Sequence, residues 1–275
     1  MDSSYIQRTL ESVIKTLTTQ FPVTLLTGPR QVGKTSLLQH LSQDQRHYVS
    51  LDDPALAALA QEDPKLFLER FKPPVLIDEV QYAPAILPYI KILVDQQQTA
   101  GLFWLTDSQQ FHLMKGVAES LAGRIAIVNL LGLSQKEETG DVRHDLPFLP
   151  VKKTLLEQWP ATKKMGLQAI YKKIWRGSFP RIVKNADIEP AIFYSSYVQT
   201  YLQRDVRDLT HVSDNTRFLR FLKVTAARTG HCSISLIWHV MQILALIRPN
   251  IGFQFWRRRA LFIYFSLILI MSPKD

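Results

Sequence analysis

Short apolar runs alternate with stretches of helical periodicity along the first half of the chain, and this alternation sets the expected architecture. Phe21–Thr27, His47–Leu51, Val75–Ile77, Gly101–Thr106 and Ile125–Leu131 read as strands. Each is brief and rich in β-branched, leucine or aromatic side chains. Between them, Ser36–Leu41, Asp53–Phe71 and Ala85–Val94 place apolar residues at helical spacing, with Asp52-Asp53-Pro54 capping the second of these helices. Strands alternating with helices predict βαβ units, and so an α/β fold with a parallel sheet flanked by helices. Val75-Leu-Ile77 is apolar without interruption, as expected of a parallel strand covered on both faces.

The pattern changes twice further on. Residues 133–165 are charged and proline-containing, with Gln135-Lys-Glu-Glu138 and Asp145-Leu-Pro-Phe-Leu-Pro150, and suit a linker or an irregular insertion. From about Leu167 to Gly230 the spacing is helical, with amphipathic helices expected over Ile192–Leu209 and Phe218–Arg228. The tyrosines of the first of these read as core rather than as stacking platforms for bases, and Arg204, Asp205, Arg207 and Asp208 as a solvated helix face.

One segment carries specific chemistry. Residues 28–35 are Gly-Pro-Arg-Gln-Val-Gly-Lys-Thr, the G-x-x-x-x-G-K-[ST] phosphate-binding loop. Gly28 and Gly33 let the backbone of Pro29, Arg30, Gln31 and Val32 wrap a phosphate chain with its N–H groups inward. Lys34 supplies a cation for the terminal phosphates, and Thr35 a hydroxyl for Mg²⁺. Ser36 follows in the first turn of a helix whose dipole points at the anion. The context is the required one: strand, glycine loop, helix.

A second motif, Pro73-Pro-Val-Leu-Ile-Asp-Glu-Val80, ends its strand in two carboxylates. In open α/β sheets this edge binds ligands. Asp78 is placed to hold Mg²⁺, directly or through water, and Glu79 to orient or deprotonate an attacking water. Thr106-Asp107-Ser108 closes the next strand, where a polar group such as Ser108 can sense a γ-phosphate. Arg124, after Ser120-Leu-Ala-Gly123, is a candidate phosphate-facing arginine, acting in cis or on a neighbouring subunit; a surface cation at a helix end is the equal alternative.

Composition adds limits. A single cysteine, Cys232, excludes a disulfide framework and a cysteine-based metal site, so Mg²⁺ is the metal implied. The formal charge of +9 divides into +4 on residues 231–275 and +5 on residues 1–230. That surplus permits nucleic-acid contact without demanding it. No run of about eighteen apolar residues and no signal pattern occurs, which makes a cytoplasmic location the expectation.

The order T-G-P-R-Q-V-G-K-T, S-L-D-D-P, V-L-I-D-E-V-Q-Y-A-P, S-Q-Q-F-H-L-M-K-G, S-L-A-G-R resembles the bacterial AAA-like ATPases of the AAA_14 group, which carry a DUF4143 region behind the ATPase core. The resemblance continues through Trp175–Arg181 and Tyr197–Val206 and ends near Gly230. It implies a P-loop NTPase domain over residues 1–135, a linker and helical DUF4143-like region over 136–230, and ATP as the nucleotide. No guanine-specific N-K-x-D motif argues otherwise. The group has Thr-Gly-Ser where this chain has Thr106-Asp107-Ser108, and a carboxylate there is expected to weaken nucleotide binding or turnover.

Residues 231–275 break with what precedes them: one acidic residue in the whole stretch, and an apolar run, Ala260–Met271, too short to span a membrane. A frameshift accounts for this. Back-translation with one nucleotide restored inside the His231 codon opens a frame reading QLLNLSDLARDADISPNTAKHW, then GIVYLL, a helix-turn-helix pattern. Residues 231–275 are therefore expected to form a non-native tail. The function expected of the chain is ATP binding with Mg²⁺-dependent hydrolysis. The alternatives are a nucleotide-gated switch that binds DNA or a protein partner, with homo-oligomer formation possible in either case, or an inactive truncated relic.

Overall fold

The computed structural model describes residues 5–108, 116–117, 119–140, 142 and 165–201. The chain divides into two compact units, residues 1–158 with 178–181, and residues 159–177 with 182–275.

The first unit is built as βαβ units on one parallel sheet. Its elements run α1 (Leu10–Gln20), β1 (Val23–Thr27), α2 (Lys34–Ser42), β2 (His47–Ser50), α3 (Pro54–Glu62), α4 (Pro64–Arg70) and β3 (Val75–Asp78). A 3₁₀ turn (Val80–Tyr82), α5 (Ile86–Gln97), β4 (Phe103–Asp107) and β5 (Ile125–Asn129) follow. The strand order is β2-β3-β4-β1-β5, and every pairing is parallel. The sheet is what the alternating pattern predicts.

Burial explains the patterning. β1, β3 and β4 are buried at every position, as central parallel strands covered on both faces must be. Leu25, Ile77, Phe103 and Leu105 pack in one core with Phe67 and Leu68 of α4 and Ile86, Leu87 and Ile90 of α5. Each such side chain contributes about 1.5–3 kcal/mol by leaving water.

Two expectations are corrected. The single helix expected over Asp53–Phe71 is two. Pro64 lacks an N–H, and Asp63 before it takes φ −133°, ψ 75°, outside the helical region as a residue preceding proline prefers. Asp63 then caps α4 by accepting from Leu66 N–H at 3.0 Å. The start of the expected linker is also ordered: Gln135–Thr139 is a short helix with a capping box, Ser134 accepting from Glu137 N–H and Glu137 from Ser134 N–H.

In the second unit, Leu167–Arg176 and Pro190–Tyr201 are helices. The first ends at Gly177, φ 75°, where an added Cβ would lie 1.8 Å from the Tyr194 hydroxyl. That hydroxyl donates to Arg176 O at 3.0 Å, so only glycine fits the turn. Tyr194 and Tyr197 are buried, in keeping with a core role. The remainder of the helix expected over Ile192–Leu209, the helix expected over Phe218–Arg228, and the tail from 231 lie outside the described residues.

Candidate nucleotide site

Parallel register brings the polar ends of the strands to one edge. Thr27 pairs with Asp107 on one side and with Asn129 on the other, and Ser50 pairs with Asp78. β4 lies between the strand that feeds the glycine loop and the strand that carries the carboxylates, so Thr106, Asp107 and Ser108 stand between the two motifs.

The loop has the backbone its sequence requires. Gly28 has φ 145° and Gly33 φ 93°, both reserved for glycine. A Cβ on Gly28 would meet Leu130 O at 2.1 Å. Gln31 also has a positive φ, 63°. Pro29, Arg30, Gln31 and Val32 complete the curve, and Lys34, Thr35 and Ser36 open α2 directly after Gly33. Arg30 donates to the Tyr82 hydroxyl at 3.3 Å. Arg8, from the segment before α1, holds the loop from outside. It donates to Val32 O at 2.9 Å and Leu131 O at 2.7 Å, and its Nε lies 3.2 Å from a Glu137 carboxylate oxygen.

Lys34 Nζ donates to Gly28 O and Pro29 O, each at 3.0 Å. Burial lowers its pKa, opposed by the charges of Glu79, Asp107 and Asp78 and assisted by Arg30. Asp107 is fully buried and belongs to this group of charges, so the departure from Thr-Gly-Ser falls inside the site.

Thr35 Oγ1 donates to Asp78 Oδ1 at 2.8 Å, which joins the two motifs. Thr106 Oγ1 donates to the same oxygen at 2.6 Å and accepts from Glu79 N–H at 2.8 Å. Tyr48 OH reaches Asp78 Oδ2 at 3.3 Å; burial, then the Asp78 charge, pushes this phenol's pKa up. Glu79 sits at φ 57°, a conformation that costs a non-glycine residue on the order of 1 kcal/mol. Its Oε2 accepts from Ser108 Oγ at 2.7 Å and from Gln81 Nε2. Gln81 Nε2 also donates to Ser108 Oγ at 3.0 Å.

The hydroxyl of Thr35 and the carboxylate of Asp78 are hard oxygen donors in contact, which suits Mg²⁺, an ion that takes one or two protein ligands and leaves the rest to phosphate and water. Among the described residues no group of three or more His, Cys, Asp or Glu is placed to hold an ion.

Comparison with known proteins agrees with this geometry. Residues 20–139 match the family described as an AAA domain, AAA_14. Over those residues the chain is similar to AAA-like P-loop ATPases. The chain is similar in fold to the Walker-type ATPase PABY2304 of Pyrococcus abyssi, with a TM-score of 0.52, covering 98% of this chain and 91% of that one at 17% identity. That likeness concerns the fold. Uncharacterised proteins Mb2031c of Mycobacterium bovis and Rv2008c of Mycobacterium tuberculosis are each 28% identical over 189 residues, 68% of this chain. The chain spans 37% of the length of each. Residues 167–241 match a domain of unknown function, DUF8612. The resemblance named DUF4143 at this place, and the match is to a different family.

The C-terminal edge of the sheet thus brings together Gly28–Ser36, Asp78, Glu79 and Ser108. The cis reading of Arg124 is the correction. It precedes β5, at the opposite edge of the sheet from the glycine loop, five strand residues away, about 16 Å at 3.3 Å each. There it forms a bidentate pair with Asp95, at 2.6 and 3.1 Å. Within its own chain it does not face the phosphate loop, because β5 runs parallel to β1 and carries only its C-terminal end to that side.

Tyr48, Gln81 and Thr106 join the network without having been candidates. Thr106 had a signal, its place in a polar strand end. Tyr48 and Gln81 had none, since their contacts depend on strand order and on the 3₁₀ turn. Among the described residues no helix is long and apolar enough to cross a membrane.

Proposed function

We propose that the chain binds ATP with Mg²⁺ and hydrolyses it. The observation that carries this reading is the Thr35–Asp78 contact at 2.8 Å, through which the phosphate loop and the carboxylate strand meet with Glu79 alongside. In this reading Lys34 and the loop amides bind the phosphates, while Thr35 and Asp78 hold Mg²⁺, which supplies charge neutralisation on the transferring phosphoryl group. Glu79 accepts a proton from the attacking water, and Ser108 faces the terminal phosphate. Lys34 exchanges its two carbonyl partners for phosphate oxygens, a stronger, charge-assisted contact.

The test separates binding from turnover. Glu79→Gln is expected to keep Mg-ATP affinity and to lose about 10²-fold or more of the hydrolysis rate. Lys34→Ala is expected to lose both. Hydrolysis in Glu79→Gln equal to that of the wild type contradicts the assignment of the base.

A further inference from the structure

We infer that Gln81 is a positioning residue that lets Ser108 distinguish a nucleoside triphosphate from a diphosphate. This rests on the nucleotide reading above and concerns a residue that reading leaves idle.

Ser108 has one hydroxyl hydrogen and two lone pairs, whereas the Gln81 amide nitrogen has two hydrogens. Gln81 Nε2 donates to Ser108 Oγ at 3.0 Å and also to Glu79 Oε2. A hydroxyl that accepts from Gln81 directs its own hydrogen elsewhere, and here it goes to Glu79 Oε2 at 2.7 Å. Glu79 Oε2 therefore has two donors, Ser108 and Gln81. Either one can leave without stripping the half-buried carboxylate oxygen of its donor, and a charge left without one is the costly outcome.

Ser108 directly follows β4, the strand between the glycine-loop strand and the carboxylate strand. A γ-phosphate oxygen reaching this strand end competes with Glu79 for the single Ser108 hydrogen. Gln81 makes that transfer cheap in two ways. It keeps a hydrogen bond on Glu79, and it keeps donating to Ser108, so that the hydroxyl must point its hydrogen at one of two acceptors. A diphosphate brings no such oxygen and leaves the three-residue ring closed. Without Gln81, Glu79 depends on Ser108 alone, and the hydroxyl stays with the carboxylate. The two acceptors, Glu79 Oε2 and Ser108 Oγ, fix the amide with its nitrogen towards the carboxylate.

The experiment measures dissociation constants for Mg-AMP-PNP and Mg-ADP in the full chain, for wild type, Gln81→Ala, Ser108→Ala and the double variant. Gln81→Met, close in volume and lacking the donor, repeats the measurement should the alanine variant fold poorly. The preference for triphosphate is expected to fall about fivefold in each single variant, the scale of one net hydrogen bond. The double variant is expected to fall no further, and ADP affinity to stay constant throughout. A wild-type preference that persists in both Gln81 variants, or losses that add in the double variant, overturns the inference and leaves the nucleotide site standing. A wild type that binds neither nucleotide overturns both.

Discussion

The two edges of one sheet hold polar groups of very different kinds. At the C-terminal edge, Thr27, Asp78, Thr106 and Asp107 are buried at strand ends, and Asp78 is reached by three hydroxyl donors. At the N-terminal edge, Arg124 and Asp95 form a close pair in open solvent, with relative side-chain exposure of 34% and 45%. Pairing in water gains little, because solvent already stabilises both charges. Burying hydroxyls and carboxylates costs several kcal/mol unless every one is satisfied. A fold does not accumulate such groups at one edge for stability alone. The buried edge is the one proposed to hold the nucleotide, and the exposed pair lies away from it within the chain.

That contrast is broken most directly by the carboxylate base. Glu79→Gln should lower ATP turnover by about 10² to 10⁴-fold, the range for a lost general base. Arg124→Ala should leave turnover within about twofold of wild type, since a solvated pair at the far edge touches nothing in the site. A large loss in Arg124→Ala, restored by mixing with Glu79→Gln protein, would instead reveal an arginine donated between subunits.

Next in size comes the support of the loop. Arg8→Ala removes the donor to Val32 O and leaves Glu137 buried without its cation, and should cost about 3 kcal/mol by chemical denaturation. Burial raises the Glu137 pKa, but the N–H groups of Ser134 and Thr9 and the Arg8 charge outweigh it and hold the carboxyl below its usual 4.5. With the folded value lowered, this stability is complete above the unfolded pKa and is lost as pH falls through the folded one. Acid titration of wild type should show that loss below about pH 4.5, and Glu137→Gln should flatten it.

Thr106→Val keeps the shape but leaves Glu79 N–H without its acceptor and Asp78 with one donor fewer, for about 1–3 kcal/mol of stability. The smallest effect is at Asp107. Removing its charge in Asp107→Asn should tighten Mg-ATP binding about threefold in a calorimetric titration, because a like charge no longer faces the phosphates.

How far the site was legible follows from the same contrast. The glycine loop and the Asp78-Glu79 strand end could be read because their chemistry is local: φ values only glycine adopts, and a run of apolar residues closed by carboxylates. The strands could be read because burial on both faces leaves an apolar signature. What could not be read is long-range. Gln81 reaches Ser108 across 27 positions of sequence, and Tyr48 reaches Asp78 across 30, contacts that exist only once β3 is known to lie between β2 and β4. The cis placement of Arg124 was not legible for the same reason, since local sequence does not say at which edge a residue emerges. The helix break at Pro64 was legible and was overridden by the apolar periodicity on either side of it. The frameshift reading and its helix-turn-helix fall in residues outside those described, and resequencing the locus around codon 231 tests them: an intact gene with no deletion contradicts that reading.

Calorimetric titration of Mg-ATP into wild type and Lys34→Ala tests the central claim most directly. Saturable binding in wild type that weakens at least about 50-fold in Lys34→Ala is predicted, from the loss of a buried, charge-assisted phosphate contact. Equal binding in the two proteins, or none in a folded wild type, would contradict the assignment of this sheet edge as a nucleotide site.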